Sequence, residues 1–172
     1  MTSMRFNELL KLDAEKIIFP YYKEKNGLDG LIHIKHVVHF GELISRKECP
    51  QNINEVILGC YLHDIGRGYE INDETHGDAG ELIARRIMER DFGTYNLDIE
   101  KITYAVKYHD KGFVSNDPVI GAIWDADRLS LYRFLGKIIL LEKLSTKTTV
   151  GLRKYAKKYI EDRLGEYNNS YY

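Results

Sequence analysis

The stretch VILGCYLHDIGRG, residues 56–68, decides how the rest of the chain is interpreted. It begins with seven residues that favour a buried helix, and this run ends at an adjacent histidine and aspartate, His63 and Asp64. Gly66 and Gly68 follow and predict that the helix stops there. Adjacent side chains at an unwinding helix end can face one cleft, and imidazole nitrogen and carboxylate oxygen are both metal-ligand atoms. The stretch therefore predicts a helix that ends at a candidate metal site.

Most of the remaining chain has the spacing of amphipathic helices. Apolar residues recur at three- and four-residue steps through residues 37–44, 82–87 and 99–108. Signals for helix starts and stops agree with this spacing: a capping box from Thr75 to Asp78, a cap at Asp98, a stop at Gly112 and a start at Asp117-Pro118. We therefore expect an all-α fold, a globular bundle of about seven or eight helices without a sheet.

Bulk composition narrows the classes of partner. The 172 residues, 44% of them hydrophobic, suffice for one soluble globular domain with its own core. Lys plus Arg (25) nearly balance Asp plus Glu (26), so we expect neither a stable nucleic-acid partner nor a membrane partner. Charged residues interrupt the first 19 positions, and no apolar run approaches the roughly 20 residues of a membrane span. Cys49 and Cys60 lack metal-site spacing, and we expect reduced thiols in a cytoplasmic protein.

The C-terminal region predicts one further helix. Residues 143–165 form an amphipathic pattern, with Leu152, Tyr155, Ala156 and Tyr159 on one face. Its lysines and arginines are typical of a solvated face, and a subunit contact is the alternative. Residues 167–172, which are rich in tyrosine, are expected to be frayed, although their aromatic side chains would also suit a homodimer contact.

Three segments together resemble a known family. His33-Ile34-Lys35-His36-Val37 resembles an H-x-x-R-V opening segment, with His36 where arginine is usual. His63 to Arg67 is similar to H-D-I-G-K/R, and Asp125 to Leu129 is similar to D-A-D-K/R-L. In this order and at these spacings, over residues from about 30 to 130, they resemble the HD superfamily of helical metal-dependent phosphohydrolases.

The resemblance implies a metal site whose ligands are His33, His63, Asp64 and Asp127. Asp125 would instead support the helix or the ligands. Nitrogen and carboxylate ligands without thiolate suit Mn, Fe, Co, Ni, Zn or Mg. The resemblance leaves open whether the chain binds one ion or two.

Two further histidines extend the resemblance to members with a second ion. His76 opens a segment similar to the H-x-x-x-G/A helix start of many such proteins, and His109 stands where a subset has a His-His pair. Asp110 takes the second place of that pair, and its carboxylate is an alternative ligand. His36, one turn from His33, is expected to lie outside the ligand set, and His39 is expected on a helix surface.

The function implied by the resemblance is hydrolysis of a nucleotide or another small phosphate ester by metal-activated water. Asp64 would orient the water or bridge two ions. Arg128, Arg67 and Lys111 are the candidates to bind the substrate phosphate, because cationic donors stabilise its charge. Two alternatives stay open: an HD-type diiron oxygenase, and a regulatory module that binds nucleotides without turnover.

Overall fold

The computed structural model describes residues 3–25, 27–68, 75–134 and 137–165, and the regular elements in these ranges are helical. The all-α prediction is therefore confirmed. The predicted frayed end, residues 167–172, lies outside the described residues. The described ranges contain seven α-helices: α1 (Ser3–Lys25), α2 (Gly27–Glu48), α3 (Ile53–Leu62), α4 (His76–Asp91), α5 (Ile99–Tyr108), α6 (Pro118–Ser130) and α7 (Lys147–Glu161). Short 3-10 turns lie at Pro50–Asn52, Gly93–Tyr95, Leu131–Arg133 and Leu141–Lys143.

Two of the predicted helix starts form the expected capping bonds, and one does not. The carboxylate of Asp98 accepts a hydrogen bond from the backbone N–H of Lys101 at 3.0 Å, and Asp117 caps α6 in the same way, with Pro118 in the first position. Helix α4 begins at His76, as predicted, but Thr75 makes no side-chain capping bond. The reason is local: Thr75 has φ −104° and ψ 4°, whereas a capping residue is usually extended.

The core of the bundle places the end of α3 in the interior. Helices α2 and α6 form the most extensive helix pair, and α3 packs against both. Nearly every residue of α3 is buried. A Cβ atom at Gly59 would collide with the side chain of Ile123, so glycine permits this close approach of α3 and α6. His63 and Asp64, which follow α3 directly, are consequently buried as well.

Helix α7 begins later than residue 143, where the sequence pattern begins. Asp125, fully buried on α6, accepts hydrogen bonds from the backbone N–H groups of Ser145 and Thr146 at 2.8 and 2.9 Å. These bonds hold the chain in a non-helical conformation just before α7. The hydroxyl of Thr146 then caps the helix by accepting from the N–H of Thr149 at 3.2 Å.

The face of α7 that packs on the core includes Leu152, Ala156 and Tyr159, as the sequence pattern predicts, but not Tyr155. Ala156 is buried as expected, but Tyr155 is 44% exposed. Thr149 and Ile160 complete the buried face. Hydrogen bonding makes the difference at Thr149, because its hydroxyl pairs with that of Thr146 at 2.7 Å and can therefore be buried.

Two expectations from composition concern membrane-spanning helices and the state of the cysteines. None of the helices in the described ranges has both the length and the apolar character needed to cross a membrane. Cys49 and Cys60 are buried free thiols. Burial raises the pKa of Cys49 to about 11, so that thiol stays protonated at neutral pH.

Candidate metal centre

The four ligands implied by the sequence motifs converge from three parts of the fold. His33 lies on α2, His63 and Asp64 follow α3, and Asp127 lies on α6. The Nε2 atoms of His33 and His63 are 3.1 Å apart, and each lies 3.5 Å from Oδ2 of Asp64. Oδ1 of Asp127 lies 3.5 Å from His33 Nε2 and 3.7 Å from His63 Nε2. We call these four residues the first cluster.

These separations fit a single ion. Two ligand atoms that each lie about 2.1 Å from one ion are about 3.0 to 3.5 Å apart at octahedral or tetrahedral angles. The nitrogen and oxygen atoms of His33, His63 and Asp64 all lie within 4.8 Å of one another. The donor set contains imidazole and carboxylate but no thiolate, so the first cluster could hold a divalent metal ion.

Hydrogen bonds on the far side of the rings direct Nε2 of His63 and His109 towards the centre. Nδ1 of His63 lies 2.9 Å from the carbonyl oxygen of Cys60, and Nδ1 of His109 lies 2.7 Å from that of Val106. A carbonyl oxygen only accepts, so each Nδ1 carries the proton. Each Nε2 is then left with a lone pair for a metal ion.

His33 is fixed in the same tautomer by a hydroxyl group. Nδ1 of His33 lies 3.2 Å from Oγ of Ser130. That hydroxyl donates its single proton to the carbonyl oxygen of Asp127 at 2.6 Å, and it accepts from Arg133 at 2.7 Å. Because its proton is already used, Ser130 can only accept from His33. The sequence motifs gave no role to Ser130 or Arg133.

A second cluster shares Asp64 with the first. It consists of Asp64, His76 and His109, all of them buried. The Nε2 atoms of His76 and His109 are 3.1 Å apart, and they lie 3.7 and 3.2 Å from Oδ1 of Asp64. Because Oδ2 of Asp64 faces the first cluster, one carboxylate contacts both. Asp110 is more distant, with Oδ2 at 3.9 Å from Nε2 of His76.

The electrostatics of the centre favour the metal-binding protonation states of His63 and Asp64. Burial lowers the pKa of His63 to about 4, although Asp64 and Asp127 partly oppose the shift. Burial alone would raise the pKa of Asp64, but the imidazoles of His63, His109 and His33 around it outweigh that effect and hold the pKa well below its usual range. His63 is thus neutral and Asp64 ionised at neutral pH, which is the state that ligation requires.

Comparison with protein families identifies the chain. The family model described as HD domain matches residues 30–132, which include the first cluster, His76 and His109. The chain belongs to the HD-domain family. Comparison with curated proteins found no significant match, and comparison with solved structures found none either.

The metal centre of this HD domain opens into a cavity of about 450 Å³. Its lining includes His33, Asp127 and three arginines, which are Arg67, Arg128 and Arg133. Arg67 donates from Nε to Oδ1 of Asp64 at 2.7 Å. Arg133 contacts Ser130 and lies over the ring of Phe134, 4.4 Å from its centroid. Arg133 follows the last motif by a short turn, so no motif points to it.

The other two cations predicted for phosphate binding have different surroundings. Arg128 is buried, pairs with Asp125, and donates to the carbonyl oxygens of Lys143 and Phe113. Several of its donors therefore hold the fold together, and phosphate binding by Arg128 remains a prediction. Lys111 is exposed, and its Nζ lies 3.3 Å from Oδ2 of Asp110.

Two histidines of the HD domain lie away from the two clusters. His36 is buried against Tyr159 of α7, with the ring centroids 5.5 Å apart. His39 was expected on a helix surface, but it is half-buried and stacks on the same tyrosine at 4.4 Å. Its Nε2 lies 2.9 Å from the hydroxyl of Tyr155. The expectation failed because α7, which is distant in sequence, covers this face of α2.

Proposed function

We propose that this HD-domain protein is a metal-dependent phosphohydrolase that acts on a small phosphate ester, such as a nucleotide. One observation supports the proposal above the others: side chains that could bind a metal ion and cations that could bind a phosphate line one cavity. His33, Asp64 and Asp127 lie in that cavity with Arg67 and Arg133. Its volume, about 450 Å³, falls within the range of small-molecule sites.

Each side chain has a role that follows from its chemistry. His33, His63, Asp64 and Asp127 would hold one ion, and His76 and His109 would hold a second ion with Asp64. An ion bound there would lower the pKa of a water molecule, neutralise a phosphoryl oxygen and align the two for attack. The ionised Asp64 carboxylate would accept a hydrogen bond from the attacking water and so orient it.

The arginines would bind the substrate phosphate. Guanidinium groups present donors that match the oxygens of a phosphate and stabilise its developing charge. Arg67 approaches from the side of Asp64, and Arg133 approaches from the turn after α6. Lys111, at the exposed edge, would attract the anion rather than hold it. This division of roles predicts that substitution of Arg67 or Arg133 raises KM more than substitution of Lys111 does.

The test combines metal content with phosphate release. Protein purified without chelators would be analysed by elemental mass spectrometry, and then assayed with Mn, Fe, Co, Ni, Zn or Mg against nucleotides and sugar phosphates. We expect bound metal and metal-dependent release of phosphate, both of which Asp64→Ala abolishes. Full activity of Asp64→Ala with unaltered metal content would contradict the mechanism. Absence of bound metal after reconstitution would leave a nucleotide-binding module without turnover.

A diiron oxygenase is the second candidate, and the second cluster favours it. Asp64 faces both clusters, and His76 and His109 add nitrogen donors to a centre that would then suit two iron ions. Iron-loaded protein that consumes dioxygen and releases no phosphate from any ester would support this candidate over hydrolysis. The arginines in the cavity favour the hydrolase, because they match a phosphate whichever ester carries it.

A further inference from the structure

A second cavity, on the other side of the turn Leu131–Arg133, is lined by cations. It has a volume of about 400 Å³ and lies between Tyr132, the segment that starts at Lys137 and one face of α7. Four of its lining residues are basic: Lys137, Arg153, Lys154 and Lys157. None of its lining residues, all in the described ranges, is acidic. We call it the basic cavity.

Acidic side chains do little to balance the charge of the four cations in the basic cavity. Within the described residues, Lys137, Arg153 and Lys154 form no ion pair, and Lys157 has only an exposed contact with Glu161 at 3.8 Å. The whole chain has one more acidic than basic residue, so acidic partners are available. Four like charges around one cavity repel one another, and a bound anion would remove that repulsion.

Arg153 supplies a separate observation that points to a ligand. Its Nε is shielded from solvent and has no hydrogen-bond partner in the described structure. A buried donor without an acceptor is destabilising, and such groups are rare in folded proteins. A small shift of this side chain towards the cavity would offer the guanidinium to an anion there.

The rest of the lining indicates what kind of anion fits. Tyr132 and Ile139 form an aromatic and apolar wall beside the cations. An inorganic anion makes no favourable packing contact with such a wall, whereas a sugar or a base can pack against it. Clustered lysine and arginine side chains are a typical environment for phosphate. We propose that the basic cavity binds a small phosphorylated organic molecule, at a site separate from the metal centre.

The proposal does not depend on hydrolysis, because none of the four cations lines the cavity of the metal centre. The two cavities lie on either side of one turn: Tyr132 lines the basic cavity, and its neighbours Leu131 and Arg133 line the other.

Binding can be measured by NMR with the α,β-methylene analogue of ADP, whose bridge between the phosphorus atoms resists hydrolysis. The amides of Val150 and Gly151 report on the basic cavity, and those of Asp110 and Gly112 report on the metal centre. We expect saturable shifts at Val150 and Gly151. Adenosine, which lacks phosphate, should produce none there.

The decisive comparison uses two double variants with the same change in charge. Arg153→Gln with Lys154→Gln removes two cations of the basic cavity, and it should weaken binding about tenfold or more. Lys147→Gln with Lys158→Gln removes two cations of α7 outside the cavity, and it should change affinity less than about twofold. If Arg153→Gln disturbs folding, Lys137→Gln with Lys154→Gln is the substitute, because both side chains are exposed.

Three results would overturn the proposal. One is a set of shifts confined to the amides of the metal centre. Another is equal weakening in the two double variants, which would indicate general attraction of an anion by surface lysines. The third is binding of adenosine as tightly as its phosphorylated analogue.

Discussion

The two clusters of the metal centre share Asp64 but differ in how much charge and support they offer an ion. The first cluster has two carboxylates, Asp64 and Asp127, and its histidines come from two elements of the core. The second has the shared Asp64 and two histidines, with Asp110 at the margin. A divalent cation is better neutralised by two carboxylates than by one. The first cluster should therefore bind its ion more tightly, and the second should be filled only after it.

The largest effect on metal affinity should follow from substitution of Asp64, the residue that both clusters share. We expect Asp64→Ala to lower affinity for the first ion by more than about 100-fold, since loss of an outer hydrogen-bond partner alone reaches that range. Metal titration followed by elemental analysis would measure it. Asp78→Ala removes an exposed carboxylate on α4 and is the matched control. If Asp64→Ala bound both ions normally, the clusters would not depend on this carboxylate.

Substitution of Ser130 tests how much the hydrogen bond that orients the His33 ring contributes to metal affinity. Ser130→Ala removes the acceptor for Nδ1 of His33, so the ring can rotate or take the other tautomer. We expect affinity for the first ion to fall about 10- to 100-fold. Ser130→Thr, which keeps a hydroxyl, should recover part of the loss. Ser115→Ala, in the loop before α6, serves as the control. Equal affinities of Ser130→Ala and the wild type would show that the hydrogen bond is dispensable.

Gly66 tests the geometry that brings the two clusters together. A Cβ atom there would collide with the carbonyl oxygen of His76 and the backbone nitrogen of Gly80, so alanine would push the start of α4 away. We expect Gly66→Ala to lower the free energy of unfolding by about 1–3 kcal/mol. Affinity for the first ion should fall less than about tenfold, because His33 and Asp127 lie on other helices.

Chemical denaturation and metal titration would measure the two effects of Gly66→Ala. Gly93→Ala is its control, since a Cβ atom at Gly93 has no neighbour within 4 Å. A variant as stable as the wild type would mean that α4 adjusts without strain.

The smallest effect on affinity for the first ion should come from a substitution in the second cluster. His76→Ala removes a candidate ligand of the second cluster, whose Nε2 lies near Asp64 Oδ1 and His109 Nε2. We expect the metal content of saturated protein to fall from two ions per chain to one, with affinity for the first changed less than about twofold. A parallel loss of both ions would mean that the clusters fill as a unit.

The sequence was most informative where structure depends on neighbouring residues. Asp98 and Asp117 cap their helices with bonds that span two or three positions, so a local pattern suffices to find them. Prediction of these helix starts therefore required no knowledge of how the helices pack. The candidate ligands of the first cluster lie in three short motifs, and the resemblance to the HD superfamily connected these motifs in one site.

Residues whose roles depend on packing could not be found in this way. Ser130 at the end of α6 and Arg133 in the turn after it support His33 from 97 or more positions away in sequence. His39 is half-buried only because α7 returns to cover α2. The start of α7 is set by hydrogen bonds from the backbone to Asp125 on α6. In each case the deciding partner is distant in the chain, and no spacing rule connects the two.

Asp125 gives the C-terminal region a part in the integrity of the metal centre. Its buried carboxylate accepts from Ser145 and Thr146, and it lies two residues from the metal ligand Asp127. The family model ends at residue 132, and a shortened protein that stopped there would leave this buried carboxylate with Arg128 but without the donors from Ser145 and Thr146. The segment that contains Ser145 and Thr146 thus supports the helix that carries Asp127, and we expect a minimal version of the protein to need it.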